Sequence, residues 1–370
     1  MTAADDRAHM NAALALARRG LGDTWPNPAV GCVIVRDGRV VGRGWTQSGG
    51  RPHAEAEALT RAGVAAKGAT AYVTLEPCSH QGKTPPCADA LVAAGVARVV
   101  IATRDPDARV DGKGVAKLQA AGIVVAEGLE GEAATALNAG FFSRVSRKRP
   151  LFALKTATTL DGRIALASGE SRWITGEDAR HAVQVLRARY DAILVGSGTA
   201  VIDNPGLECR LAGYTGRPKV RVVLDRRLRI SAEQDLIKTA KVTPTWVVTS
   251  AESAKARGAA LEALGATVIV VPAESDARAF ARAAAQELAA RGLTRVLIEG
   301  GGQLAASFLG DDMVDELAWF RGARLFGGDA RPAVGNLNLT KLTEALSFHP
   351  NWRLAFGEDT LDLYQRRATH

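Results

Sequence analysis

The stretch HAEAEALTRAG (53–63) indicates the fold of the first half of this chain and contains the residues of a candidate site in it. His53 and Glu55 stand two residues apart at the head of a pattern that predicts a helix. The next polar segment is EPCSHQGKTPPC (76–87), which brings Cys78 and Cys87. Side chains that bind metals and carry protons therefore occur on two neighbouring segments.

Strand and helix patterns alternate on both sides of these segments. Predicted strands are AVGCVIV (29–35), ATAYVTL (69–75) and ARVVIAT (97–103), and predicted helices cover 54–63, 87–95 and 132–145. Buried strands separated by helices predict a largely parallel sheet covered on both faces.

The run SRVSRKRP (143–150) is basic and ends in proline, which is typical of a linker. With 370 residues and roughly 150 residues per domain, we expect two domains, 1–147 and 148–370. The second half repeats the alternation. Its predicted strands are 151–157, 191–196, 219–225, 245–250, 267–271, 295–299 and 314–320, and its predicted helices include 177–190 and 275–292.

The bulk composition is that of an ordinary globular protein, with 47% hydrophobic and 23% charged residues. The net charge of +8 favours anionic partners, and without dense basic blocks we expect small phosphorylated ligands, not nucleic acid. The N-terminus has acidic residues where a signal peptide has basic ones, and no apolar run is long enough to span a membrane. We expect a cytoplasmic protein with reduced thiols.

The His, Glu and Cys residues suit a catalytic zinc site. His53, Cys78 and Cys87 would supply three ligands and leave a fourth position for water. Glu55 could reach that water without binding the metal and could carry its proton during a hydrolytic deamination. Both cysteines were expected at helix starts, where thiolates are favoured.

H-x-E followed by P-C resembles the signature of zinc deaminases acting on cytosine or adenine. With PNPAVGC (26–32) and PCSHQGKTPPC (77–87), the first half is similar to the deaminase half of the bifunctional riboflavin-biosynthesis deaminase–reductases. The resemblance implies a cytidine-deaminase-like α/β/α domain. It also implies that Asn27 bonds the pyrimidine and that His80 and Lys83 hold the ribose phosphate.

In the second half, RVLIEGGGQLAASFL (295–309) reads as a strand, three glycines and a helix, an arrangement that suits a nucleotide phosphate. DAILVGSGTAVIDNP (191–205) lacks the third spaced glycine of the dinucleotide fingerprint. The stretches 155–176, 195–210 and 298–304 resemble the riboflavin reductase domain, which implies a dihydrofolate-reductase-like α/β fold and NADPH.

The same resemblance implies two sets of contacts in the second domain. The cofactor would contact Ala157, Trp173, Thr199, Asp203, Gly301 and Gly302, and the phosphoribosyl substrate would contact Ser171, Arg187, Leu207, Arg210 and Glu299. Arg187 and Arg210 could clamp a phosphate. Lys155, Asp203 and Glu299 are the candidates for proton delivery.

Two further features bear on the cofactor and its chemistry. The family commonly has an aspartate pair before a proline where this chain has Asn204, which argues against a role that needs both carboxylates. Arg226 and Arg227 hint at a site for the 2′-phosphate of NADPH.

The predicted function is a bifunctional enzyme of riboflavin synthesis that first deaminates a diaminopyrimidine ribosylamine phosphate with zinc. It then reduces the ribosyl group to ribityl with NADPH, and the resemblance implies a homodimer formed through the reductase domain. One alternative is a nucleic-acid base deaminase fused to an unrelated reductase. Another is a catalytically inactive nucleotide-binding regulator.

Overall fold

The chain divides inside the basic linker segment, between Lys148 and Arg149, into units 1–148 and 149–370. The computed structural model describes residues 3–81, 85–272 and 276–367. Lys83, predicted to hold a phosphate, lies outside these residues. Each unit is built around a sheet of its own, so each is described by itself.

The first unit is an α/β/α sandwich with a five-stranded sheet in the order β2-β1-β3-β4-β5. The strands are β1 (Gly31–Arg36), β2 (Arg39–Trp45), β3 (Thr70–Val73), β4 (Arg98–Ile101) and β5 (Val124–Glu127). The helices are α1 (Ala3–Ala17), α2 (Ala54–Ala62), α3 (Cys87–Ala93), α4 (Lys113–Ala120), α5 (Gly131–Leu137) and α6 (Ala139–Ser146). The helix predicted over 132–145 is thus two helices that meet at Asn138.

This sheet is mixed, so the prediction of a largely parallel sheet is wrong for its first strands. β1 is antiparallel to β2 and to β3, whereas β3, β4 and β5 are parallel. Asp37 and Gly38 join β1 to β2 with φ of 50° and 73°, values that suit a tight two-residue hairpin. The Asp-Gly pair is a sequence signal for this hairpin.

Helices cover both faces of the sheet, as the sequence pattern predicts. Apolar residues of α2, α3 and α4 pack in one core cluster, and residues of α1 and α5 pack in the other. Met10, Ala13, Leu14 and Ala17 form the buried stripe of α1, at the spacing of one helix face. The N-terminal segment is therefore an amphipathic helix of the fold.

The second unit contains a nine-stranded sheet in the order β11-β10-β9-β8-β12-β6-β13-β16-β15. Its strands are β6 (Leu151–Thr158), β7 (Arg163–Ala165), β8 (Ala192–Gly196), β9 (Val220–Leu224), β10 (Thr245–Ser250), β11 (Thr267–Val271), β12 (Arg295–Ile298), β13 (Glu316–Arg321), β14 (Arg331–Pro332), β15 (Phe348–Phe356) and β16 (Asp359–Arg366). Its helices are α7 (Glu177–Ala188), α8 (Ser197–Ile202), α9 (Asp235–Lys238), α10 (Ala251–Ala263), α11 (Ala277–Ala290) and α12 (Gly302–Leu309). β7 and β14 pair separately.

The seven strands from β11 to β13 are parallel, and the hairpin β15–β16 adds an antiparallel edge. The seven parallel strands match the seven predicted ones, whereas the hairpin was not predicted. The chain runs from β8 outward to β11 and then returns to place β12 between β8 and β6. Open α/β sheets bind ligands at the carboxyl ends of strands where the order reverses in this way.

The helices in the described part of the chain are too short or too polar for any of them to cross a membrane.

Candidate functional site

The predicted metal ligands of the first unit lie together. His53 is the residue directly before α2, Cys87 is the first residue of α3, and Cys78 lies in the loop after β3. The Nδ1 atom of His53 is 3.3 Å from the Sγ of Cys87 and 3.7 Å from the Sγ of Cys78. The ligand atoms of all three residues lie within 4.8 Å of one another. The expectation that Cys78 also begins a helix is wrong.

The start of α3 stabilises the Cys78 thiolate instead. The backbone N–H of Cys87 donates to the Cys78 sulfur at 3.3 Å, and that of Ala88 donates to the Cys78 carbonyl at 3.1 Å. Hydrogen bonds from Cys87 and His53 lower the pKa of Cys78 to about 4, against the effect of burial. The hydrogen bond with Cys78, together with burial, raises the pKa of the Cys87 thiol.

Glu55 lies in the first turn of α2, and only 3% of its surface is exposed. Burial raises the pKa of its carboxyl to about 7, although the neighbouring His53 opposes this shift. A carboxyl that titrates near neutral pH can both take up and release a proton, as a general acid–base group must. Two sulfurs and one imidazole nitrogen are a donor set that fits a catalytic zinc ion, whose fourth position would be left for water.

Asn27 bonds the segment that leads to His53, and His80 follows Cys78 by two residues. The side-chain amide N–H of Asn27 donates to the carbonyl of Gly50 at 2.9 Å, three residues before His53. Among the described residues nothing bonds the Asn27 side-chain oxygen, which could therefore bind a ligand. Gly50 must remain glycine, because a Cβ would lie 2.2 Å from the Asn27 nitrogen and its φ is +84°. The Nδ1 of His80 is buried and has no hydrogen-bond partner among the described residues.

Two buried carboxyls beside the cluster, Glu76 and Asp105, were not predicted. Glu76 stands in the E-P-C motif, and Asp105 follows β4, the strand next to β3. The sequence signal that could have identified both residues is an acidic residue that closely follows an apolar strand. An ordinary surface carboxyl would have no reason to occur at the end of a strand.

In the second unit, Lys155 in the middle of β6 and Glu299 directly after β12 lie together with Arg187. The strand register pairs Leu154 with Ile298, so Lys155 and Glu299 follow side by side. Arg187 near the end of α7 donates through Nε and Nη2 to the two Glu299 oxygens, at 2.7 and 2.9 Å.

These three charges shift one another. Burial would raise the pKa of Glu299, but Arg187 and Lys155 outweigh it and the pKa is lowered. Burial lowers the pKa of Lys155, with Glu299 opposing. Glu299 is therefore an ionised carboxylate beside an ammonium group that releases its proton more readily than usual.

The predicted role of Arg187 is to clamp a phosphate, but the Nε and Nη2 edge of its guanidinium already donates to Glu299. Its Nη1 also donates to the carbonyl of Glu208 at 2.7 Å. Arg210 is exposed, and its backbone N–H, which bonds the Gln184 side chain at 2.8 Å, is its one hydrogen-bond donor in use among the described residues. Arg210 thus has the freer guanidinium for a phosphate, while Arg187 fixes the carboxylate.

The remaining predicted cofactor and substrate residues lie on several segments of this unit. Thr199 is in α8 and accepts the N–H of the exposed Asp203, Ala157 is on β6, and Ser171 is half-buried in the loop before α7. Trp173 is 60% exposed, and the Arg180 guanidinium lies 4.5 Å from its ring centre. Leu207 is buried with φ of +52°.

Asn204 serves as a backbone cap where the family commonly has an aspartate. Its Oδ1 accepts the N–H of Asp235, the first residue of α9, at 2.8 Å. An amide oxygen can accept this hydrogen bond as well as a carboxylate can, so Asn204 supports the local fold.

The three glycines after β12 have different reasons to be glycine. A Cβ at Gly300 would lie 2.4 Å from the Leu304 side chain, and one at Gly302 would lie 2.6 Å from the Pro332 carbonyl. A Cβ at Gly301, just before α12, would meet nothing within 4 Å. Packing thus explains Gly300 and Gly302, whereas Gly301 faces open space at a helix start, where a phosphate could approach.

The hint of a 2′-phosphate site at Arg226 and Arg227 stays a prediction. Arg227 is exposed, and the carbonyl of Arg226 accepts hydrogen bonds from Thr249 and Ser250. The nearby Arg229 donates to the Ser197 hydroxyl at the start of α8, at 2.7 Å.

Fold and sites together define a class of protein: a zinc-type deaminase joined in one chain to an α/β reductase. Residues 3–103 match the cytidine and deoxycytidylate deaminase zinc-binding region, and residues 150–359 match the RibD C-terminal domain.

Full-length relatives give the particular family. The riboflavin biosynthesis protein RibD of Escherichia coli K12 is 41% identical over 93% of this chain and 94% of its own, and that of Aquifex aeolicus is 37% identical over 98% of both. A structure of Acinetobacter baumannii RibD has a TM-score of 0.88 at 37% identity and covers 98% of this chain and 99% of its own. The Thermotoga maritima diaminohydroxyphosphoribosylaminopyrimidine deaminase/5-amino-6-(5-phosphoribosylamino)uracil reductase has a TM-score of 0.86 at 36% identity, over 98% and 99%. The chain belongs to the RibD family of bifunctional riboflavin-biosynthesis enzymes.

Proposed function

We propose that the chain converts 2,5-diamino-6-(5-phosphoribosylamino)pyrimidin-4-one to 5-amino-6-(5-phosphoribitylamino)uracil in two steps. The domain 1–147 removes a ring amino group by hydrolysis, and the domain 148–370 reduces the ribosyl group with NADPH. The observation that carries the proposal is the cluster of His53, Cys78 and Cys87 beside the buried Glu55, in a chain that matches Escherichia coli RibD over 93% of its length.

In the first step the bond between a ring carbon and its exocyclic amino nitrogen breaks and a C–O bond forms at that carbon, with water as the source of oxygen and ammonia as the leaving group. His53, Cys78 and Cys87 would hold the zinc ion, which when bound supplies Lewis-acid activation of the attacking water. Glu55 moves protons from that water to the ring and to the leaving amine, for which a pKa of about 7 is suited. Asn27 orients the pyrimidine through its free carbonyl oxygen, and His80 and Lys83 hold the phosphate.

In the second step C1 of the sugar gains a hydride and the ring oxygen gains a proton, which opens the sugar to ribityl. Glu299 accepts hydrogen bonds from sugar hydroxyls while Arg187 keeps it ionised, and Lys155 beside it delivers the proton. Arg210 binds the phosphate, with Ser171 and Leu207 on the same substrate. Asp203 is exposed after α8 and is assigned to the cofactor, with a direct catalytic role left to Lys155.

Gly301 and the start of α12 would offer backbone N–H groups to the pyrophosphate of NADPH, which when bound supplies the hydride. Ala157, Trp173, Thr199 and Gly302 complete the proposed contacts. We further propose that the protein acts in the cytoplasm as a homodimer formed through the second domain.

The test is mass spectrometry of the purified zinc-loaded protein with the diaminopyrimidine ribosylamine phosphate, with and without NADPH. Without NADPH we expect only the exchange of an amino group for oxygen, and with NADPH the further addition of two hydrogens. Amino loss alone would reject the reductase assignment. No change in a protein with bound zinc would reject the substrate.

Glu55→Gln is the matched variant for this assay. The amide keeps the shape of the side chain but cannot carry the proton, so deamination should fall by about 10²-fold to 10⁴-fold. Zinc content and reduction of separately supplied deaminated substrate should stay unchanged. A binding protein without catalysis would show no activity for the substitution to remove.

A further inference from the structure

The segment that follows β4 and runs into the first turn of α4 packs against Pro77, the residue before the metal ligand Cys78. β3 and β4 are parallel neighbours, so the residues that follow them leave the sheet at the same edge. β3 leads to Glu76, Pro77 and Cys78, and β4 leads to residues 105–115, which we call the wall segment. The wall segment was not assigned a role from the sequence.

One buried carboxylate fastens the wall segment. Glu76 is 3% exposed, and its two oxygens accept the backbone N–H groups of Gly114 at 2.9 Å, Gly112 at 3.0 Å, Val115 at 3.2 Å and Asp105 at 3.4 Å. All four donors belong to the wall segment. A carboxylate has about four acceptor positions, so each donor finds one.

The next residue makes a second, independent contact with the same segment. Gly114 packs so closely on the Pro77 carbonyl that a Cβ would lie 2.1 Å from its oxygen. Glu76 and Pro77, directly before the metal ligand Cys78, thus set the position of the wall segment from the ligand side.

Two carboxyls of the wall segment, Asp105 and Asp107, interact electrostatically with groups near the metal cluster. Burial raises the pKa of Asp105 to about 6, and the charges of Glu76 and Cys78 add to this shift. The backbone N–H of Asp107 donates to Asp105 at 2.8 Å, and the charge of His80 contributes to lowering the pKa of Asp107. The wall segment is therefore within electrostatic range of both the metal cluster and His80.

We propose that Glu76 is a positioning residue of the deaminase site, which holds the wall segment in place as one side of the substrate pocket. The inference rests on the proposed deaminase function and extends it to a residue that does not touch the reacting atoms. Its carboxylate is required because a glutamine amide would offer one oxygen and turn its own N–H groups toward donors.

The test is Glu76→Gln in the full-length zinc-loaded protein, with Glu57→Gln as the control. Glu57 lies on α2 in the same unit and pairs with Arg61 at 3.0 Å, so its substitution makes the same chemical change away from the wall segment. For Glu76→Gln we expect the deaminase KM to rise by about 10-fold to 100-fold, the penalty typical of small misplacements. The control should keep the KM of the unsubstituted protein.

Three other readouts separate positioning from loss of structure. Hydrogen exchange of the Gly112, Gly114 and Val115 amides should become faster in Glu76→Gln. Zinc content and reductase activity should stay unchanged, because the metal ligands and the second unit are intact. Gly114→Ala, which displaces the wall segment while Glu76 remains a carboxylate, should raise the same KM.

An unchanged KM in Glu76→Gln despite faster amide exchange would overturn the inference. Loss of zinc from Glu76→Gln and Gly114→Ala would also overturn it, because Glu76 would then support the metal ligands and not the substrate pocket. Failure of the unsubstituted protein to deaminate the substrate would instead reject the proposed function.

Discussion

At the scale of single residues, burial decides which charged groups do chemistry and which hold the fold together. Glu55 and Lys155 are removed from water without a full ion pair, and burial moves the pKa of each toward neutrality. Asp6 shows the opposite case. Its carboxylate bonds Arg98 at 2.7 and 2.9 Å and Tyr72 at 2.6 Å, and these contacts lower its pKa from 3.8 to about 2.

Asp6 therefore predicts a pH-dependent stability of the first unit. Because its pKa is lower in the folded state, its contribution is fully present above about pH 4 and is lost as the pH falls toward 2. Asp6→Asn should lower the free energy of unfolding by about 1–3 kcal/mol at pH 7, the range for hydrogen bonds to charged groups.

Urea unfolding of both proteins at several pH values checks this expectation. The difference between Asp6→Asn and the unsubstituted protein should shrink below about pH 4. A difference that stays constant down to pH 3 would show that the lost contacts, and not the ionisation, account for the effect.

The residues of the zinc cluster could be predicted from the sequence because H-x-E and P-C are short motifs, each of which is recognised from a few adjacent residues without knowledge of the tertiary packing. The Arg187–Glu299 pair could not. Glu299 and Arg187 are 112 residues apart, and only the insertion of β12 between β8 and β6 brings them together. Pairing of that kind depends on strand order, which one sequence does not contain.

At the scale of helices and strands, the turn at Gly300–Gly302 separates packing from ligand contact. Gly301→Ala introduces a methyl group into open space, so the fold should be unaffected. The same methyl would keep a pyrophosphate from the backbone at the start of α12, and the KM for NADPH should rise by about 10-fold, equivalent to 1.4 kcal/mol.

Initial rates at varied NADPH check this, with Gly328→Ala as a control because its Cβ also meets nothing within 4 Å. Equal KM values for both variants would place the pyrophosphate elsewhere. Gly302→Ala should instead lower stability, since its Cβ would lie 2.6 Å from the Pro332 carbonyl.

Strands and helices with strong periodicity agree with the prediction, and those missed have identifiable reasons. β5 is short and partly exposed, so it lacks a continuous apolar run. β15 is exposed along almost its whole length, so neither alternation nor a buried run marks it. β2 was missed although Asp37–Gly38 is a hairpin signal, because its middle contains Gly42 and Gly44, which let α2 approach closely.

At the scale of the whole molecule, the chain divides into two compact units, 1–148 and 149–370. Each has a sheet and apolar cores of its own, which is the usual mark of a domain that folds alone. We expect 1–147 to deaminate with zinc when expressed alone and 148–370 to reduce the deaminated product with NADPH.

Mixing the separate domains should restore the full conversion, as measured by mass spectrometry. If the covalent linkage aids transfer between the sites, the mixture should release more free intermediate than the intact chain does. Circular dichroism of each fragment shows whether it is folded. A folded but inactive first fragment would show that its site needs residues of the second.

The outermost strand of the large sheet affects how the protein behaves at high concentration. β15 exposes Trp352 and Leu354 along an edge whose backbone groups could pair with another strand. Pro350 has no N–H to donate, the register shifts between Pro350 and Trp352, and Arg353 adds a charge that it shares with Asp362. Such features make an edge less able to recruit further chains into fibres, so we expect Pro350 and Arg353 to help keep the protein soluble at high concentration.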